Sequence, residues 1–111
     1  MKPSIIVTDK IHDKAIELAE SFAEVDLKTD LTPEELVEEI KGYDAIIIRS
    51  GTKVTREVIE ASSLKAIGRA GVGLDNVDLE AAGENNIEVF NSPEASTVSV
   101  AEHALGLMIS L

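Results

Sequence analysis

The run Ala45-Ile46-Ile47-Ile48 sets the tightest limit on what this chain can become. It is apolar throughout, β-branched in three of its residues, and bounded by Asp44 and Arg49. Such a run is too short for a buried helix and shows no alternation between an apolar and a polar face. It reads as a strand buried on both sides, which is the mark of a parallel sheet covered by helices. The rest of the chain therefore has to supply parallel neighbours and the helices that connect them.

The flanking sequence has that form. Ser4-Ile5-Ile6-Val7-Thr8, residues 64–68 and Ile87-Glu88-Val89-Phe90 read as strands, and Val25-Asp26-Leu27 as a short edge strand. Between the first two strands, Ala15, Ile16, Leu18, Ala19 and Phe22 recur at helical spacing over Asp13 to Phe22. Thr32-Pro33-Glu34-Glu35 combines an N-cap Thr, a Pro at the first helical position and a Glu three residues after the cap. That helix turns Leu36, Val37 and Ile40 inward and ends at Gly42. Thr55 can cap a helix carrying Val58, Ile59 and Ala61, and a shorter helix runs from about Asp78 to Gly83. Asn91-Ser92-Pro93 breaks the fifth strand.

Strands alternating with helices at this spacing imply right-handed crossovers. The expected fold is α/β, a flavodoxin-like doubly wound parallel sheet of five strands in the order 2-1-3-4-5. At 111 residues the chain is long enough for one core and too short for two. The expected division is a domain over 1–96 followed by a helix over 97–111. Ser99-Val100-Ala101-Glu102 opens that last helix in a capping-box pattern, and few polar residues follow His103. A helix apolar on all sides must be buried on all sides. Either a second copy covers it, giving a homodimer through 97–111, or more protein follows; the second is the favoured expectation.

Charge and composition exclude several partners. The net charge of −11 opposes binding to nucleic acid or to an anionic membrane. No apolar stretch reaches the ~18 residues a membrane helix needs. Asp9 and Lys10 cut short the apolar run that a secretory signal would require. The absence of cysteine fits a cytoplasmic location. His12 and His103 lie far apart, so no metal site is expected.

The cations, in contrast, are gathered. All three arginines (Arg49, Arg56 and Arg69) fall within residues 49–69, and no Lys or Arg follows Arg69. Arg56 and Lys65 suit ion pairs on helix surfaces. Arg49 and Arg69 do not, because each directly ends an apolar strand. Arg69 also sits in Gly68-Arg69-Ala70-Gly71-Val72-Gly73-Leu74-Asp75-Asn76-Val77-Asp78. Glycines at a strand's exit permit positive φ and let backbone amides turn toward one point, beside a guanidinium suited to a carboxylate or phosphate. The expectation is an anion site shared by the two strand tips.

Four motifs occur in order: Ile48-Arg49-Ser50-Gly51-Thr52-Lys53-Val54-Thr55, the glycine stretch 68–78, Asn91-Ser92-Pro93, and Ser99-Val100-Ala101-Glu102-His103. Together they resemble the N-terminal part of the NAD-dependent D-2-hydroxyacid dehydrogenases, the phosphoglycerate-oxidising branch most of all. The resemblance covers the whole chain. It implies a two-domain enzyme of serine biosynthesis in which a substrate-binding domain is interrupted by an NAD-binding domain absent from this chain. By carry-over, Arg49, Ser50 and Arg69 would hold a small anionic metabolite of the 3-phosphoglycerate kind. The amides of Gly71, Val72 and Gly73 would hold its carboxylate. Val72, Ser99 and Val100 would lie near the nicotinamide. Ser92 and Glu94 stand where the family often has Ala and Gly, which bears only on hinge details.

The resemblance also implies what this chain lacks. The family's catalytic Arg, Glu and His come from later sequence, so no catalytic residue is expected here. His103 lies next to Glu102, but neighbouring helix residues point about 100° apart and do not face each other. Gly71-Val72-Gly73-Leu74-Asp75-Asn76 lacks the third glycine of a dinucleotide fingerprint, and no ribose-binding acid follows the second strand. The isolated chain is therefore expected to be inactive and to bind no NAD by itself. Other modules of this fold fit less well. A phospho-receiver needs an Asp where Arg49 stands, and a flavodoxin needs a phosphate loop where Thr8-Asp9-Lys10-Ile11-His12 stands. A self-associating folding or interaction module remains the alternative.

Overall fold

The computed structural model describes residues 3–11, 13–21, 23–70 and 75–92. Its order is β1 (Ser4–Val7), α1 (Asp13–Glu20), β2 (Glu24–Leu27), α2 (Pro33–Glu39), a 3-10 turn (Ile40–Gly42), β3 (Ala45–Ile48), α3 (Arg56–Ala61), β4 (Ala66–Ala70), α4 (Leu79–Glu84) and β5 (Glu88–Ser92). The five strands form one sheet in the order β2-β1-β3-β4-β5, parallel at every pairing. The architecture read from the sequence is the one the chain adopts.

The isoleucine run lies at the centre, and every residue of β3 is buried. Because side chains alternate across a strand, β3 feeds two separate cores. Ile46 and Ile48 join Ile6, Ile67, Leu36 of α2, Val58 and Ile59 of α3, and Ala81 and Ala82 of α4. Ala45 and Ile47 join Ile5, Val7, Ala66 and Ala19 of α1 on the opposite face. β2, the edge strand, is mostly exposed, with Leu27 at 56%.

Helix starts follow the local chemistry. Thr32 accepts a hydrogen bond from the Glu35 amide while the Glu35 carboxylate accepts one from the Thr32 amide, closing the capping box. Thr55 accepts from Val58 N, and Asp78 from Ala81 N, so orphan amides at three helix starts are satisfied by side chains. Arg56 forms a two-pronged pair with Glu84, at 3.2 and 3.0 Å, that ties α3 to α4. The Glu84 carboxyl is held below its ordinary range by hydrogen bonding to Arg56 and then by the cation's charge.

Several boundaries differ from the expectation. β4 runs to Ala70 rather than ending at Gly68, so Gly68 and Arg69 are paired within the sheet, opposite Phe90 and Asn91. For the same reason β5 continues through Asn91 and Ser92, which the sequence marks as breakers. Each strand supplies the partner that its neighbour's turn-forming residues need. α2 also gives way to a 3-10 turn at Ile40, two residues before Gly42. α1 closes at Glu20, two residues before the expected Phe22. Phe22, the residues after Ser92, and the whole of helix 97–111 with His103 lie outside the described residues.

Candidate functional site

The carboxyl ends of β3 and β4 lie side by side. Ile48 is the register partner of Arg69, so Arg49 leaves β3 just beyond the level at which Arg69 stands in β4. Arg69 belongs to the sheet face of Ile48 and Ile67 and is only 8% exposed. A guanidinium so enclosed is costly unless its N–H groups are bonded, and Arg69 Nε donates to Asn76 Oδ1 at 2.9 Å. Arg49 is exposed, and its Nη1 donates to the Lys10 carbonyl at 3.3 Å, in the segment after β1. Ser50 is exposed in the bend that follows. The two arginines thus share an edge of the sheet, and their side chains are anchored on different partners.

The link between them is Asn76. Its Nδ2 donates to the carbonyls of Arg49 and Thr52, each at 2.7 Å, while its Oδ1 accepts from Arg69. Its own backbone is fixed by a bridge between Val54 and Val77, through Val54 N to Asn76 O and Asp78 N to Val54 O, both 2.9 Å. On the other flank of the 49–52 loop stands Asp9. Its Oδ2 accepts from the amides of Arg49 and Thr52, and its Oδ1 from the Thr52 hydroxyl. Neither Asn76 nor Asp9 was singled out as a site residue by the sequence. Asp9 did carry a signal, as an acid at the exit of the strand beside the point where the sheet order reverses. Asn76 carried none beyond its place in the glycine motif.

Of the residues assigned to the site from sequence, Arg49, Ser50 and Arg69 are described and lie at this edge. Gly71, Val72, Gly73, Ser99 and Val100 lie outside the described residues. A cavity of about 330 Å³ opens beside the edge, lined by Thr8, Asp9, Leu36, Gly51, Lys53 and Val58 among others; neither Arg49 nor Arg69 lines it. Among the described residues no group of His, Cys, Asp and Glu could hold a metal ion, and no helix is long and apolar enough to cross a membrane.

Comparison with known proteins gives this edge a context. The profile of the family described as "D-isomer specific 2-hydroxyacid dehydrogenase, catalytic domain" matches residues 5–105. A D-3-phosphoglycerate dehydrogenase of Methanocaldococcus jannaschii is 57% identical over 107 residues, which are 96% of this chain and 20% of that protein. A hydroxypyruvate reductase of Thermotoga maritima is 43% identical over 94% of this chain and 35% of its own length. Among solved structures, the NAD+-bound 3-phosphoglycerate dehydrogenase of Entamoeba histolytica superposes with a TM-score of 0.76 at 32% identity. That match covers 98% of this chain and 39% of the Entamoeba chain. The chain therefore spans about a fifth of the length of its first curated relatives. With the family profile covering nearly all of its length, this chain belongs to the D-isomer specific 2-hydroxyacid dehydrogenases.

Proposed function

We propose that this chain is the substrate-binding part of a D-3-phosphoglycerate dehydrogenase-like oxidoreductase. Residues 1–96 form the substrate-binding domain, and 97–111 lead toward an NAD-binding domain. The observation that carries this reading is the placement of Arg49 and Arg69 at adjoining strand ends, tied through Asn76, in a net acidic chain of this family. Arg49, Ser50 and Arg69 receive the anionic ends of the acid, and the amides of Gly71, Val72 and Gly73 complete the cradle. Val72, Ser99 and Val100 stand near the cofactor ring.

NAD, when bound, accepts or delivers the hydride at the carbon bearing the hydroxyl. The described residues do not fit the role of holding it. In a dinucleotide fold the first strand-to-helix turn is glycine-rich and cradles pyrophosphate. Here that turn is Thr8-Asp9-Lys10-Ile11, and its carboxylate already serves the 49–52 loop. The chain's own contribution is to bind and orient the acid, so by itself it turns nothing over. Charge-assisted bonds of ~1.5–3 kcal/mol each, from two guanidinium groups, place its unaided affinity near the millimolar range.

The test is NAD-dependent oxidation of 3-phosphoglycerate by the full-length enzyme and its Arg69→Gln and Arg49→Gln variants. Each variant should raise KM for the acid by roughly tenfold or more, with the KM for NAD nearly constant. An acid KM indifferent to both substitutions would sink the reading.

A further inference from the structure

Asn76 spends its whole side-chain amide on the edge where the two arginines meet. Both hydrogens of Nδ2 go to backbone carbonyls of the 49–52 segment, and Oδ1 takes the Nε hydrogen of Arg69. A residue needed only to staple the loop could do so with the two donor bonds. The third bond falls on the one guanidinium nitrogen that fixes the plane of the head group. The Nε bond to Asn76 therefore fixes the Arg69 head group to the same amide that holds the 49–52 segment.

Only an amide satisfies this place. An aspartate would set carboxylate oxygen against the carbonyls of Arg49 and Thr52, now 2.7 Å from a donor, and would neutralise Arg69. An aliphatic residue would leave a guanidinium that is 8% exposed without its Nε partner. The backbone of Asn76 is itself pinned by the Val54–Val77 bridge, so the amide has a rigid mount.

We propose that Asn76 is a positioning residue for the substrate anion: it fixes the Arg69 head group and locks the Arg49–Thr52 segment to the same frame. This rests on the reading that Arg69 receives the acid. The test is a double-mutant cycle in the full-length enzyme, measured as KM for 3-phosphoglycerate and kcat. Asn76→Ala should raise KM about tenfold while kcat stays within roughly twofold, and it should add nothing to Arg69→Gln in the double variant. Asn76→Asp keeps an acceptor for Nε but cancels the charge, so its KM should exceed that of Asn76→Ala. This second variant also decides the matter if Asn76→Ala does not fold. An acid KM that is unchanged in Asn76→Ala, or that multiplies independently with Arg69→Gln, overturns the proposal. So does a KM in Asn76→Asp no higher than in the parent enzyme. If Arg69→Gln itself leaves KM unchanged, the substrate reading falls first. A raised KM in Arg69→Gln with a normal one in Asn76→Ala removes only the role of Asn76.

Discussion

Asp9 and Thr52 meet twice across 43 residues of sequence: the Thr52 amide donates to Oδ2 and the Thr52 hydroxyl to Oδ1, each at 2.9 Å. The same carboxylate accepts the Arg49 amide at 2.8 Å. Between them Gly51 passes so close that a Cβ there would lie 2.8 Å from Asp9 Oδ1. The carboxylate is therefore the mould around which the segment carrying Arg49 and Ser50 is shaped, and the glycine is what lets the chain close on it.

Asp9→Ala should destabilise the fold by about 1–3 kcal/mol, because it leaves two loop amides and a hydroxyl without their acceptor. Gly51→Ala should cost a similar amount by pushing the carboxylate away. Urea unfolding at neutral pH measures both. If the two losses simply add in the double variant, the residues do not act as one unit.

Ile46 is fully buried at the sheet centre, and Leu27 on the edge strand is 56% exposed. Ile46→Ala should cost ~2–5 kcal/mol through lost burial and the cavity it leaves. Leu27→Ala should stay within about 0.5 kcal/mol. Comparable denaturation midpoints for the two variants would contradict the central placement of the isoleucine run.

Tyr43 is the chain's only tyrosine, so its phenol titrates alone in the near ultraviolet. Its pKa is raised, first by burial and then by its 2.5 Å hydrogen bond to Asp26. The absorbance midpoint should therefore lie above the ordinary value of about 10. A pKa higher when folded than when unfolded favours the fold below the unfolded value and ceases to do so as pH rises through the folded one. Asp26→Asn should lower the midpoint by removing the neighbouring charge. A midpoint at or below that of a free tyrosine would contradict the geometry.

The pair of Arg56 and Glu84 makes the opposite prediction for acid. Glu84 has a lowered pKa, so its contribution is present above the unfolded carboxyl value of about 4.3 and is lost as pH falls through the lower folded value. Glu84→Gln should flatten that acid limb of the melting curve. Because the pair is exposed, about 1 M salt should remove most of the difference between variant and parent. Melting temperatures at two pH values and two salt concentrations check this.

Fold and site were legible in the sequence to different degrees. The isoleucine run, the Thr32-Pro33-Glu34-Glu35 start and the Thr55 cap are local signals, and each produced the element it announced. The sheet order followed from their alternation. Gly68, Asn91 and Ser92 misled because each favours a turn in isolation, whereas in the sheet a parallel partner holds them extended.

What the sequence determined alone was the inventory: five strands, their connecting helices, the family motifs, and arginines at two strand exits. Those are short-range properties of propensity, periodicity and spacing. Only the tertiary structure decided that the Arg49 side chain is anchored on Lys10 and the Arg69 side chain on Asn76, and that Asp9 and Asn76 set the segment between β3 and α3 from its two flanks. The physical reason is that these bonds join residues up to 43 positions apart at the ends of adjacent strands. Parallel pairing creates such neighbours, and nothing local in the chain encodes which of them will meet.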